Sequence, residues 1–357
     1  MLDKTKSNDS GEDDPVAAAD RAQLTYVSDA EPGIRRKGAP KRFYYVDPDG
    51  NHLKEGETVR RIRALAIPPA WTDVWISPDP SGHIQATWRD DRGRKQYRYH
   101  PDWAAERDGQ KYSSLIAFAE ALPRLRGQVD ADLGRRGLPV ERVVASVVWL
   151  LDNTMIRVGN VAYARDNKSF GLTTLRDRHV TIAGSSLRFA FKGKSGKEWR
   201  LKLVDRRIAR VVRGAQDIPG QKLFQYLDED GARHPVRSQD VNRYIREAAC
   251  NGFSAKHFRT WGGTIHAASL LAQTERPDSK TAQKRVLNGI VDKVAERLGN
   301  TRSICRQCYI HPAVTEAWLE GNLLEGMTQA NKGKRGIKGL DEEEALVLRW
   351  LKAHEQV

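Results

Sequence analysis

The chain has 357 residues, enough for two domains with a substantial core, and 60 Lys and Arg against 46 Asp and Glu give it a net charge of +14. That excess suggests a polyanionic partner, with nucleic acid first and an anionic membrane surface second. The sequence has no apolar run near the roughly 20 residues that span a bilayer, no leader-like apolar stretch at its start and only three cysteines, so we expect a cytoplasmic protein without a disulfide framework.

The first part of the chain contains a tail and a small domain. Residues 1–22 are acidic and polar and predict a disordered tail. Residues 23–104 predict a β-rich domain, in which "KRFYYVDPDGNHL" is typical of two strands joined at Asp49-Gly50. "ETVRRIRALAIPPAW" predicts one amphipathic helix that ends at Pro68-Pro69, and "DVWISPDPSGHIQATWRDDRGRKQYRYHP" predicts three further strands.

A polar segment at about 102–112 predicts the domain boundary, and residues 105–328 predict a larger, mainly helical domain. Apolar residues recur at helical spacing in "ERVVASVVWLLDNTMIRVGN", "SQDVNRYIREAAC", "SAKHFRTWGGTIHAASLLAQT" and "TAQKRVLNGIVDKVAERLG". Alternating apolar residues on both sides of "KGKSGK" predict a β-hairpin insertion with a basic tip. Residues 329–357 predict a basic link and a final helix. The fold class is therefore α+β.

The pair Cys305 and Cys308 forms a C-x-x-C. A structural zinc site requires four ligands, and the third cysteine, Cys250, is far away in sequence. A thioredoxin-like pair follows a strand at the start of a helix, whereas this one follows an amphipathic helix. We therefore expect these thiols to be structural or incidental, and we expect no metal site.

Five scattered residues have the functional groups that covalent phosphoryl transfer requires: Arg157, Lys194, Arg259, Asn300 and Tyr309. A tyrosine hydroxyl can attack phosphorus and store the bond, and two guanidinium groups can hold the non-bridging oxygens as charge develops. An ammonium group can protonate the leaving oxygen, and an amide can donate one more hydrogen bond. Spacing alone does not select the three basic members of this set among the 60 Lys and Arg.

Four local strings single them out. "IRVGNVAYARDNKSFGLTTLRDRHV" contains Arg157, "FKGKSGK" contains Lys194, "KHFRTWGGT" contains Arg259, and "LGNTRSICRQCYIHP" contains Asn300 and Tyr309. In these strings, and over about residues 40–325 as a whole, the chain resembles type IB DNA topoisomerases, specifically the compact bacterial and poxvirus-like branch. The nine-residue step from Asn300 to Tyr309 also matches that family's spacing between its fourth catalytic position and its nucleophile.

The resemblance implies a role for each of the five residues. Tyr309 would be the nucleophile, Arg157 and Arg259 would clamp the transition state, and Lys194 would be the general acid for the departing 5′ oxygen. Asn300 stands where many relatives carry His, although a neutral amide can still donate a hydrogen bond to the phosphate.

The resemblance also implies a fold and a reaction. Residues 105–328 would be a catalytic domain of the tyrosine recombinase and topoisomerase IB type, and residues 23–104 a DNA-binding domain. One strand of double-stranded DNA would be nicked through a 3′-phosphotyrosyl intermediate, supercoils would relax by rotation, and the strand would be resealed with no ATP, metal or other cofactor. The protein would be a nucleoid-associated monomer that clamps the duplex.

Five further residues would contact DNA by the same resemblance. Gln96, Tyr97 and Tyr99, in the basic and aromatic string "GRKQYRYH", would face the major groove, where Gln can recognise a base edge. Without the resemblance, a half-exposed strand with two core tyrosines explains that string equally well. Tyr163 matches a phosphate-contacting tyrosine, and Lys256 matches a basic residue at the site.

Two other functions remain open from the sequence. A tyrosine recombinase shares this chemistry, but it typically has H-x-x-R at the second arginine, where this chain has Lys256 in "KHFR". The β-rich N-terminal domain also differs from the helical one that is typical of recombinases. A non-catalytic DNA-binding protein on the same fold is disfavoured, because all five chemical positions hold competent residue types.

Overall fold

A computed structural model describes residues 15–40, 42–91 and 93–355, which divide into two units at residues 113 and 114. Most of the tail predicted for residues 1–22 lies outside the described residues. Its last part differs from the prediction, because helix α1 (Pro15–Arg21) buries Ala18 and Ala19 against Leu24 and Trp103. These two alanines supply an apolar face that the acidic composition of the segment obscures.

The first unit is built on an antiparallel sheet whose described strands have the order β2–β1–β3–β4–β5. Its elements are β1 (Ile34–Lys37), β2 (Tyr44–Val46), α2 (Glu57–Ala64), β3 (Thr72–Ile76), β4 (Ile84–Arg89) and β5 (Lys95–Tyr99). Ile62 of α2 packs on Ile34, Val74 and Ile76 of the sheet. The helix and the three strands after it are confirmed. The helix ends at Ala64, before the predicted prolines, and Ala66 then adopts the left-handed conformation with φ 52°, which does not continue a helix.

The division between the units falls inside α3 (Pro101–Leu133). The polar segment 102–112, which predicted the domain boundary, is the first part of this helix and lies directly before the division. Pro101 occupies its first position, where proline is favoured because its missing N–H costs no hydrogen bond. Polar composition alone does not distinguish a linker from an exposed helical surface.

The second unit is mainly helical. Its elements are the remainder of α3, α4 (Val140–Thr154), α5 (Val161–Asn167), β6 (Val180–Ala183), β7 (Ser186–Lys192), β8 (Glu198–Val204), α6 (Arg206–Asp217), β9 (Gln225–Leu227), β10 (Arg233–Pro235), α7 (Ser238–Ala249), α8 (Ala255–Ala272), α9 (Lys280–Leu298), α10 (Arg302–Tyr309), α11 (Pro312–Glu320), α12 (Leu323–Asn331) and α13 (Glu342–Glu355). The helices predicted over α4, α7, α8 and α9 are confirmed. Within the described parts of the chain, no helix is long and apolar enough to cross a membrane.

The predicted hairpin is confirmed as β7 and β8, which pair antiparallel from Ser186 opposite Val204 to Lys192 opposite Glu198. Strand β6 adds to β7, so β8 is an edge of this small sheet. Leu187, Phe189 and Phe191 point into the core of the unit. The basic tip is therefore presented by strands that have their own buried face.

The last helix, α13, is held to the core by a partly buried ion network. Arg126 of α3 donates two hydrogen bonds each to Asp152 (2.8 and 2.9 Å) and to Glu344 (2.7 and 2.8 Å). The Trp261 indole N–H donates to the same Glu344 carboxylate at 3.1 Å. Residues 329–357 therefore include a helix that is joined to α3, α4 and α8, and the predicted division at residue 328 falls inside α12.

Candidate active site

Arg157 lies in the irregular segment that follows α4. Met155 ends that helix in the left-handed conformation with φ 55°, and the Arg157 carbonyl then accepts a hydrogen bond from the Leu172 amide at 2.9 Å. The guanidinium group donates to the Gly299 carbonyl at 3.4 Å and to Oδ1 of Asn300. This arginine is thus fixed at both its backbone and its side chain.

Arg259 lies in the second turn of α8 and is only 3% exposed. Its Nη1 donates to the Met155 carbonyl, and its Nη2 donates to the Leu298 carbonyl at 2.8 Å. The guanidinium carbon lies 5.0 Å from the centroid of the Tyr309 ring. Its buried Nε has no hydrogen-bond partner in the described structure.

Asn300 is positioned by the way in which α9 ends. Gly299 adopts the left-handed conformation with φ 61°, its amide donates to the Glu296 carbonyl at 3.0 Å, and the Asn300 amide donates back to Ala295 at 2.8 Å. This is the Schellman pattern of a helix C-terminus. The side chain of Asn300 is 7% exposed, and Oδ1 accepts from Arg157. Its buried Nδ2 makes no hydrogen bond to any described residue.

Tyr309 is the last residue of α10, and its ring is half-buried. Its backbone approaches α8 so closely that a Cβ on Gly263 would lie 2.4 Å from the Tyr309 carbonyl oxygen. Two residues further on, the His311 amide donates to the Thr264 hydroxyl at 3.1 Å. The end of α10 is therefore held against the helix that carries Arg259.

The structure brings Arg157, Arg259, Asn300 and Tyr309 together, and the charge of this cluster is uncompensated. Neither arginine has a carboxylate partner among the described residues, in contrast to Arg126 with its two. Burial and the neighbouring Arg259 lower the pKa of Arg157 to about 10, and burial lowers that of Arg259. Arginine is effectively always protonated at neutral pH, so both guanidinium groups are cationic. Two close cations with buried, unpartnered donors beside them form a site for an anion with several oxygen atoms.

Lys194 is not brought into contact with this cluster. It lies at the tip of the β7–β8 hairpin, exposed, and its ammonium group makes no hydrogen bond or ion pair with a described residue. The lysine that reaches the cluster is Lys197, whose Nζ donates to the Asn300 carbonyl at 2.9 Å. Sequence reasoning missed this contact, because the string "KGKSGK" contains several lysines and nothing in it indicates which one points inward.

The two cysteines of the C-x-x-C are on the same helix as Tyr309. Cys305 is buried beneath it, and burial raises the pKa of its thiol to about 11. Cys308 is half-buried and Cys250 is exposed; none of the three forms a disulfide bond. Within the described residues no group of three or more His, Cys, Asp or Glu could hold a metal ion. Cys305 therefore serves as apolar packing under the site.

A basic and aromatic surface lies on β5, an edge strand of the first unit. Tyr97 and Tyr99 are 45% and 43% exposed, and their rings are parallel with centroids 5.8 Å apart. Gln96 alternates to the other face of the strand, where its Nε2 donates to Asp90 at 3.0 Å. The predicted trio thus shares the strand but not one face.

The other two residues predicted to contact DNA are on helices of the second unit. Lys256 is exposed in the first turn of α8, one turn before Arg259. Tyr163 is in α5, and its side chain lies outside the described part of the structure.

Tyr26 extends the aromatic surface of β5 and was missed from the sequence. It is 46% exposed, and its ring lies parallel to His83 with centroids 4.3 Å apart; His83 in turn is 6.4 Å from Tyr99. The contact is supported by backbone pairing of Thr25 with Ser81 and His83. Tyr26 lies in a segment without periodicity, so only the "TY" dipeptide could have drawn attention to it.

Comparisons with known proteins concern both units. The family model of the eukaryotic DNA topoisomerase I catalytic core matches residues 95–331, and that of the bacterial DNA topoisomerase IB N-terminal domain matches residues 42–90. The chain is 32% identical to DNA topoisomerase 1B of Acanthamoeba polyphaga mimivirus over 286 residues, which cover 78% of the chain and 85% of that relative.

More distant relatives agree. DNA topoisomerase 1B of vaccinia virus (strain Copenhagen) is 22% identical over 281 residues, which cover 74% of the chain and 83% of the viral protein. DNA topoisomerase 1 of Mycosarcoma maydis is 24% identical over 313 residues, which cover 77% of the chain but 30% of that longer protein.

Proposed function

The chain belongs to the family of type IB DNA topoisomerases, and from that premise we propose that Tyr309 is the nucleophile that cleaves one strand of duplex DNA. The observation that carries this assignment is the uncompensated charge beside it. Arg157 and Arg259 are cationic, lack carboxylate partners among the described residues, and flank a tyrosine on a fixed helix end. A phosphodiester supplies the negative charge and the acceptor oxygens that this cluster lacks.

The proposed reaction exchanges one phosphodiester bond for another. The Tyr309 oxygen forms a bond to phosphorus, the hydroxyl proton leaves to solvent, and the bond from phosphorus to the 5′ oxygen breaks. Lys194 gives a proton to that leaving oxygen, which becomes a 5′-hydroxyl, while the 3′-phosphate stays on Tyr309. After rotation of the free end the 5′-hydroxyl attacks, returns its proton to Lys194 and releases Tyr309, which regains a proton.

Each remaining group has a separate role in this proposal. Arg157 and Arg259 hold the non-bridging oxygens, and the unpartnered Nδ2 of Asn300 donates to one of them. The new bond is of the same type as the old one, so the exchange stores the free energy of the strand and requires neither ATP nor a metal ion. Lys194 must approach the site when DNA is bound, because its ammonium group makes no contact with described residues here.

We further propose the DNA contacts outside the cluster. Tyr97, Tyr99 and the newly found Tyr26 are exposed and would contact the duplex together. Gln96, whose amide donates to Asp90 on the other face of this edge strand, would recognise a base edge from there. Lys256 and Tyr163 contact phosphates near the site. The protein acts on the chromosome as a monomer that closes around the duplex, which sedimentation with and without a short duplex would test.

Relaxation of negatively supercoiled plasmid in EDTA without ATP tests the central assignment. We expect the intact protein to relax the plasmid and Tyr309→Phe to be inactive while it still binds DNA. Tyr226→Phe, which changes another half-buried tyrosine on β9, should relax the plasmid normally. A strand labelled at its 3′ or 5′ side would identify which fragment stays on the protein. Relaxation by Tyr309→Phe would overturn the nucleophile assignment.

A further inference from the structure

The hairpin that carries Lys194 contacts the end of α9 through the indole of Trp199. Trp199 lies on β8, the edge strand, and is half-buried. Its ring is parallel to that of Phe191 on the paired strand, with centroids 6.1 Å apart and 3° between the planes. Phe191 is itself buried in the core of the unit, so the indole has a rigid support on one side.

Two glycines leave room for this indole, and each directly precedes a residue of the proposed mechanism. A Cβ on Gly193, the residue before Lys194, would lie 2.7 Å from the indole Nε1. A Cβ on Gly299, the residue before Asn300, would lie 2.9 Å from Cζ2. Gly193 has an extended backbone (φ −91°, ψ −166°) that any residue adopts, so it is space that requires glycine there.

Lys197 adds a polar contact between the same two segments. Its Nζ donates to the Asn300 carbonyl at 2.9 Å, and its own carbonyl accepts from the Gly193 amide at 2.7 Å. Further along β8, an open cavity of about 460 Å³ is bordered by Leu201 and Leu203 on the hairpin side and by Glu296 on α9. The hairpin is therefore held close to α9 at its tip.

We propose that Trp199 is a positioning residue for cleavage: it sets the distance between the hairpin tip that carries Lys194 and the end of α9 that carries Asn300. This inference rests on the roles proposed above for those two residues. A general acid must lie within hydrogen-bond reach of the leaving oxygen. Because lysine has a long flexible side chain, that reach depends on a fixed backbone position at its base. Trp199, with Lys197 beside it, supplies that position.

A substrate whose leaving group needs no proton distinguishes a misplaced general acid from a general folding defect, because a folding defect would slow cleavage of both substrates. Single-turnover cleavage is measured on duplex DNA with the ordinary 5′ oxygen at the scissile bond and on the same DNA with sulfur in its place. A thiol has a pKa near 8.5 and leaves as the anion, so cleavage of the sulfur substrate requires no general acid and is not slowed when the general acid is misplaced. We expect Trp199→Ala to slow cleavage about 100-fold on the oxygen substrate, as a displacement near 1 Å can do, and to cleave the sulfur substrate at the rate of the parent protein.

Comparison variants fix the interpretation. Leu203→Ala removes a half-buried side chain from the same face of β8 away from the two glycines, and should be unchanged on both substrates. Trp199→Phe, which keeps an aromatic ring, should recover much of the oxygen rate. Gly193→Ala keeps the indole but displaces it. It should show the same sulfur-rescued loss, which also decides the matter if Trp199→Ala does not fold.

The outcomes distinguish this inference from the proposed function. The role of Trp199 would be overturned if Trp199→Ala, or Gly193→Ala in its stead, lost cleavage rate equally on the oxygen and sulfur substrates, or lost none on the oxygen substrate. The general-acid role of Lys194 would still stand, provided that the sulfur substrate restores cleavage by Lys194→Ala. If Lys194→Ala is not rescued, the general-acid assignment itself fails and the positioning role fails with it. Tyr309 keeps its assignment in either case.

Discussion

Asn300→Asp tests whether the unpartnered amide nitrogen acts on the phosphate. The change is isosteric: it replaces the Nδ2 donor with an oxygen and leaves the Oδ1 that accepts from Arg157. Removal of one donor to a developing oxyanion costs about 2.7–4 kcal/mol, or about 10²–10³-fold in rate. The new carboxylate adds repulsion of the phosphate, up to about 4 kcal/mol for two unit charges 4 Å apart at an effective dielectric constant near 20. It also gives Arg157 the carboxylate partner that it lacks among the described residues.

The two effects act on the same interaction and do not add, so we expect single-turnover cleavage to fall at least about 100-fold. Asn300→His restores a donor at this position and should stay within about tenfold of the parent rate, since it avoids the loss of about 10²–10³-fold, or about 2.7–4 kcal/mol, that a missing donor causes. Asn331→Asp provides the control: it makes the same substitution in another asparagine that accepts from an arginine, Arg349, at the end of α12. Cleavage by Asn300→Asp at the parent rate would show that Nδ2 does not contact the phosphate.

Three further predictions concern the packing of the site, the DNA surface and the last helix. Gly263→Ala should slow cleavage and lower the melting temperature, since its Cβ would lie 2.4 Å from the Tyr309 carbonyl oxygen and overpacking costs about 1–3 kcal/mol. Gly289→Ala is the control: a Cβ at this position of α9 would meet nothing within 4 Å, and alanine favours a helix more than glycine does. This variant should therefore raise the melting temperature and leave cleavage unchanged. Tyr26→Ala should weaken DNA binding about fivefold in a titration, because a hydrogen bond is worth about 1 kcal/mol. Tyr44 is about equally exposed and stacks on His52 at the far edge of the sheet, so Tyr44→Ala should bind DNA as the parent protein does. Equal losses of affinity in the two variants would refute a specific surface at β5. Burial raises the pKa of Glu344, but the hydrogen bonds and charge of Arg126 outweigh it and the net pKa is lowered, so its stabilisation is complete above the unfolded value near 4.3 and is lost as the pH falls below it. Burial raises the pKa of Asp152, which changes stability with pH in the opposite direction. The contribution of Glu344 is therefore isolated by comparing the free energy of unfolding of the parent protein with that of Glu344→Gln at each pH. We expect the variant to be less stable by about 2 kcal/mol at pH 7 and by less at pH 3, and a difference that does not change with pH would refute the linkage.

Local sequence signals predict those parts of the site that depend on neighbouring residues. Alternation around a glycine-containing tip predicts the β7–β8 hairpin, and Gly299 after an amphipathic run predicts the end of α9 and therefore where Asn300 begins to turn away. Contacts between distant segments have no such signal. Nothing in "KGKSGK" indicates that Lys197 rather than Lys194 reaches the Asn300 carbonyl, because that depends on how far β8 approaches α9. Gly193 likewise resembles a turn glycine in the sequence. Any residue can adopt its extended backbone, so glycine is needed there because the Trp199 ring leaves no room for a Cβ.

The arginines show why function is harder to derive from sequence than fold. Arg126 and Arg259 are both largely buried helical residues. Arg126 donates to two carboxylates and a backbone carbonyl, so its charge is neutralised within the protein. Arg259 donates to the carbonyls of Met155 and Leu298, which align the guanidinium group without neutralising it, and Arg157 beside it increases the repulsion. Burial of such charges is unfavourable, so the packing of α4, α8 and α9 must offset the cost. In the proposed reaction, a bound phosphodiester would offset that cost, and most completely when negative charge grows on its oxygens in the transition state. In the proposed function, the feature that weakens the unbound fold is therefore also the one that would make the site selective for a phosphorus centre under attack.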